Sequence, residues 1–97
     1  MSHAIVGLFT FELHLPGAES LKDKRSRLKS MLSRLHNTFN VSAAEVDHQD
    51  IWQSAVIAVG VVTNSTKHAH EVISSVVKWI EKHYPDLEIV NEATEIL

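Results

Sequence analysis

Apolar residues in this chain follow two different periods, and the change from one to the other marks out its elements. From Ile5 to Leu15 they alternate. Ile5, Phe9, Phe11, Leu13 and Leu15 share one face with Gly7, while Thr10, Glu12 and His14 take the other. That is the period of a strand with one buried face, so Phe9 and Phe11 are expected in a core. Pro16-Gly17 breaks the strand. Ser20, with Asp23 three residues on, reads as an N-cap with a capping-box-like acid. The period then lengthens: Leu21, Leu28, Met31, Leu32, Leu35 and Phe39 recur at helical spacing within an arc of roughly 100°. Asn40 closes this helix.

Val41–Asp47 reads as a short second strand and residues 48–54 as a connection, with Trp52 expected to anchor it to the core. The β-branched run Ala55–Val62 predicts a central strand, doubly covered or well shielded. Asn64 or Ser65 caps a second helix, in which Ala69, Val72, Ile73, Val76, Val77, Ile80 and Tyr84 keep the helical repeat until Pro85 stops it. Leu87–Leu97 is a final strand or an extended tail, since Glu88, Glu92 and Glu95 do not alternate cleanly with Ile89, Val90 and Ile96. The order β-α-β-β-α-β predicts an α+β, ferredoxin-like domain: a four-stranded antiparallel sheet with two helices on one face. Residues 1–97 make one domain, without linker, repeat or low-complexity stretch.

Composition narrows the function classes. The chain has 97 residues, 44% hydrophobic and 22% charged, which is ordinary for a globular protein. At this size the core has limited reserve, and oligomerisation would add to it. Having no cysteine excludes disulfides, thiolate metal sites and cysteine nucleophiles. The longest apolar run is too short to cross a bilayer, and the N-terminus lacks the features of a signal peptide, so a cytoplasmic location without a membrane partner is expected.

Charge is the most uneven feature. Six of the nine Lys and Arg residues fall within residues 20–34, beside the single acid Asp23, although the formal net charge is −3. On the first helix Lys22, Arg25 and Lys29 line one border of the apolar arc and Arg27 and Arg34 the other. Ser26, Ser30, Ser33 and Asn37 lie between them, and Lys24 sits at the edge of the arc, where its stem can snorkel. Local positive charge of this kind points to a polyanion, nucleic acid above all. Lys22, Lys24, Arg25, Arg27, Lys29 and Arg34 are the candidate RNA-binding residues; a merely solvated helix face is the plain alternative. The central strand has no aromatic platform for stacked bases, so neither RNA nor DNA sequence readout by the sheet is expected.

Val6-Gly7-Leu8, Glu12-Leu-His-Leu-Pro-Gly17, Ser20-Leu-Lys-Asp-Lys-Arg25, Phe39-Asn-Val-Ser42 and Ala44-Glu-Val-Asp-His-Gln-Asp50 with Trp52-Gln53 resemble the YlxP-like family of small uncharacterised bacterial proteins. The likeness is in register, and it says little after about Ser65. It implies the ferredoxin-like fold but no activity. Genes of this family often lie beside those for translation-initiation and ribosome-maturation factors, so the resemblance also implies the ribosome as a partner.

Other chemistry has little footing. Gly7, Gly17 and Gly60 are isolated, no serine lies in a nucleophile-elbow context, and neither catalytic residues nor a cofactor are expected. Thr10, Glu12 and His14, with Glu45 and Asp47 expected nearby, form at most a weak metal or ligand site, and Asp47-His-Gln-Asp50 matches no closed zinc spacing. His68 and His70, two apart on a helix, point about 200° from one another and cannot share an ion. The reading is a non-enzymatic accessory protein that touches structured, ribosomal RNA through its first helix. The rival is a homodimeric protein-interaction module using the open sheet face, where Val6 and Leu8 lie.

Overall fold

The computed structural model describes residues 3–97; Met1 and Ser2, part of the N-terminal segment considered above, lie outside the described residues. The elements are β1 (Ile5–His14), α1 (Leu21–Thr38), β2 (Ser42–Asp47), β3 (Ser54–Thr63), α2 (Thr66–His83) and β4 (Glu88–Ile96). The strands form one antiparallel sheet in the order β2-β3-β1-β4. This is the ferredoxin-like arrangement that the two hydrophobic periods predict.

Local chemistry sets the boundaries. The Ser20 hydroxyl accepts the Asp23 backbone N–H at 3.0 Å, and the Glu19 N–H reaches the Asp23 carboxylate. Two backbone donors at the start of α1 are thereby satisfied. Ser65, rather than Asn64, caps α2 by accepting from the His68 N–H.

Phe9, Phe11 and Leu13 of β1 and Ala55, Ile57, Val59 and Val61 of β3 form the floor of the core. Leu28, Met31 and Leu35 of α1 and Ile73, Val76 and Ile80 of α2 form its roof. Phe9 and Phe11 are buried and stacked, with ring centroids 5.0 Å apart. A Cβ on Gly7 would come within 3.0 Å of the Ala69 Cβ, so glycine here lets α2 settle onto β1.

Two expectations are corrected and one alternative is decided. The segment after Leu87 is a paired strand, one of the two forms its sequence left open. Its uneven pattern has a cause: Thr10 faces Ala93 while Glu12 faces Val90, leaving Asn91 and Glu92 together opposite Phe11 in a β-bulge. β3 is central by pairing, yet the helices cover only one of its faces; Val56 and Ala58 on the other are half-buried and Val62 is 74% exposed. Trp52 does not anchor its loop, since it is 51% exposed. The anchor is a buried lysine described below. Among the described residues no helix is long and apolar enough to cross a membrane.

Candidate nucleic-acid interface

Five of the six bases singled out in the sequence remain on the surface of α1. Lys22, Arg25, Lys29 and Arg34 are exposed and Arg27 is half-exposed. Their spacing leaves two basic borders on either side of a ridge of exposed Ser26, Ser30, Ser33 and Asn37. Among the described residues no ion pair involves Lys22, Arg25 or Lys29, so their charge is not neutralised within the fold. Arg27 faces Asp86 at 3.8 Å, an exposed and weak contact.

Lys24 is the exception and leaves the candidate surface. Its side chain is 0% exposed, because Lys24, Leu28, Met31 and Leu35 share one stripe of the helix and all point into the fold. The ammonium donates to the carbonyl oxygen of His48 and, at 2.7 Å, to that of Ile51. It also lies 2.8 Å from Oε2 of Glu45, a buried atom without a directed hydrogen bond of its own. Lys24 thus ties α1 to the loop after β2. A buried ion that already meets three partners has nothing left to offer a phosphate.

The opposite border is preorganised. Arg34 donates to the Tyr84 hydroxyl at 2.8 Å, and its guanidinium lies 5.3 Å from the Tyr84 ring centroid and 5.5 Å from that of Trp79. Trp79 meets Phe39 edge-on at 6.2 Å. Stacking holds the exposed guanidinium in one place, and a single hydrogen bond leaves it N–H groups to spare. Between this border and the α2–β4 turn opens a cavity of about 390 Å³.

The uncovered sheet face carries different chemistry. Across the four strands Ala44, Ala58, Thr10 and Ala93 stand in one row, with Ser42, Gly60, Leu8 and Glu95 in the next. Val6 and Val62 pair at the end of this apolar half. At the other end Glu12 gathers groups from four segments. The Ser54 hydroxyl donates to its Oε1 at 2.9 Å and the Asn91 amide to its Oε2 at 2.8 Å. His48 and His14 each lie 3.5 Å from the carboxylate. The hydrogen bonds from Ser54 and Asn91, then the nearby imidazoles, hold the Glu12 carboxyl below its ordinary range, and partial burial opposes them.

Among the described residues His48 and Asn91 are the non-glycine residues with positive φ, at 62° and 53°, and each sits next to a strand irregularity. Their strained backbones aim both side chains at Glu12. Glu45, expected with this group, instead faces the helices and Lys24; Asp47 does reach the open face, opposite Val56. Among the described residues no set of three side chains is placed to hold a metal ion. Ser54 and Asn91 carried no signal in the sequence, because only strand register and the β4 bulge bring them to Glu12.

Comparison with known proteins agrees on the family. The profile described as "Protein of unknown function (DUF503)" matches residues 6–94. The chain is 33% identical over 91 residues to "Uncharacterized protein YlxP" of Bacillus subtilis (strain 168), covering 94% of this chain and 98% of that one. Among solved structures it is similar to "De novo designed protein Foldit4", with a TM-score of 0.50 and 11% identity over 96% of this chain and 97% of the other. That last likeness concerns the fold alone.

Proposed function

The chain belongs to the DUF503 family, and for this member we propose a non-enzymatic accessory role in which α1 grips the phosphate backbone of structured RNA. The observation that carries this reading is the unpaired, solvent-facing charge of Lys22, Arg25 and Lys29, within the stretch where six bases stand beside a single acid. Guanidinium and ammonium groups on a helix fix the register of a phosphate backbone without reading sequence. The acids of the open face, Glu12, Asp47, Glu88 and Glu95, repel polyanions, so contact is confined to the helical side.

Five engaged phosphates give a slope of log K against log salt of about −3.5 to −4.5. The test is co-sedimentation with purified ribosomal subunits, at low and moderate salt, of the wild type and of Lys22→Glu/Arg25→Glu/Lys29→Glu. Salt-sensitive binding that disappears in the folded triple variant supports the reading. Undiminished binding by that variant removes α1 as the interface.

One observation favours a second reading, self-association through the open sheet. Four strands about 4.8 Å apart and up to ten residues long give a face of roughly 500–600 Å². Two such faces bury about 1,000–1,200 Å², the lower end of what a specific dimer needs. Its apolar half, with Val62 74% exposed, carries no basic group. β4 carries Glu88, Glu92 and Glu95 along the sheet edge, which discourages pairing there and leaves the face as the contact. Light scattering at micromolar concentration is expected to give a dimer that Val62→Glu dissociates; a wild-type monomer removes this reading.

A further inference from the structure

We infer that the cavity between α1 and the α2–β4 turn receives one unstacked nucleotide of the bound RNA, its base on the apolar floor and its phosphates on the arginines at the rim. This deepens the phosphate-contact reading and rests on it.

The cavity holds about 390 Å³, within the range of small-ligand sites. Its floor is apolar: Leu15, Leu28 and Met31 are buried and Leu87 half-buried. Leu87 is the part of this floor that water still reaches, and a flat heteroaromatic ring seated against it removes that apolar surface from water. The mouth is polar and varied. Ser26 and Ser30 present hydroxyls from the ridge of α1, Asp86 a carboxylate and Tyr84 a phenol. The Tyr84 oxygen already accepts from Arg34, so its own hydrogen remains to be donated. Asp86 is an acceptor for an exocyclic amine, the contact by which carboxylates select cytosine.

Charge makes a nucleotide the occupant. Arg27 lines the mouth and Arg34 is pinned to its Tyr84 wall, so two guanidiniums border the opening against one carboxylate. The Arg27 guanidinium holds Asp86 at 3.8 Å and the Pro16 carbonyl at 3.4 Å, both long and exposed contacts, so it is loose enough to turn to phosphate or to stack on the base. Across the serine ridge, Lys22, Arg25 and Lys29 take the flanking helical phosphates. Proteins that read RNA by single-stranded positions use this combination: an extruded base on apolar and planar groups, polar atoms at its edge, cations on its backbone.

Two RNA hairpins test this by fluorescence anisotropy at low salt, one fully paired and one with a single unpaired cytidine. The wild-type protein is expected to bind the bulged hairpin about fivefold or more tightly than the paired one. Ser30→Phe fills the cavity from an exposed helix position and is expected to erase that preference. Asp86→Asn is expected to lower the preference without weakening the paired complex. Equal wild-type affinity for both hairpins, or a preference that survives Ser30→Phe, overturns the inference and leaves phosphate contact by α1 standing. Binding of neither hairpin overturns both.

Discussion

Replacing Lys24 with methionine tests the connection between α1 and the loop after β2. The substitution keeps length and apolar volume but removes the charge. Three contacts go with it: the bonds to the His48 and Ile51 carbonyls and the ion pair at 2.8 Å with Glu45. Taking one partner from a buried pair costs about 3–5 kcal/mol, because the other charge stays behind in a poor dielectric. The Glu45 side chain is 17% exposed, so water reaches part of it and the lower end of that range applies, about 3 kcal/mol. For a domain of this size each kcal/mol moves the melting point by about 4–8 °C, giving a fall of about 12–24 °C.

Urea unfolding with paired calorimetry measures both quantities. The double variant Lys24→Met/Glu45→Met distinguishes a pair from general packing. It removes the stranded carboxylate and is expected to recover at least about 1 kcal/mol relative to the single variant. A loss below about 1 kcal/mol for Lys24→Met, or a double variant less stable than the single, would refute the reasoning. Well below its melting point Lys24→Met is also expected to bind RNA like the wild type, since its charge lies inside the fold.

Glu12 links stability to acid. Its carboxyl lies below the ordinary value of 4.5 in the folded protein, so ionised Glu12 stabilises the fold above that value, and the contribution is lost as pH falls through the folded value. Carbon-detected NMR titration should place the Glu12 midpoint below 4.5, Ser54→Ala should raise it, and Glu12→Gln should flatten the acid limb of the melting curve; a midpoint at or above 4.5 contradicts the geometry. Gly7→Ala brings a Cβ to 3.0 Å from that of Ala69 and is expected to cost about 1–3 kcal/mol by overpacking β1 against α2. Unchanged urea stability in that variant would mean that the helix can retreat freely.

Much of this protein follows from local rules. Strand alternation at Ile5–Leu15, the helical stripe at Leu28, Met31 and Leu35, and the Ser20 and Ser65 caps are short-range consequences of residue type, so the element order and the core were legible in the chain. The basic helix was legible too, because charge on one helix face needs only the 3.6-residue period to be located. What tertiary structure decided depends on residues far apart in sequence. Lys24 looked like another surface base until the His48–Ile51 loop and Glu45 closed around it, 21 to 27 positions away. Glu12 acquired Asn91, 79 positions on, only because a bulge in β4 turns that side chain onto the open face. The cavity beside α1 exists because Tyr84, Asp86 and Leu87 of the α2–β4 turn come to face Ser26, Arg27 and Ser30, more than 50 positions earlier in the chain. Periodicity records which way a side chain points within its own element, while what it meets there is set by register and packing between elements.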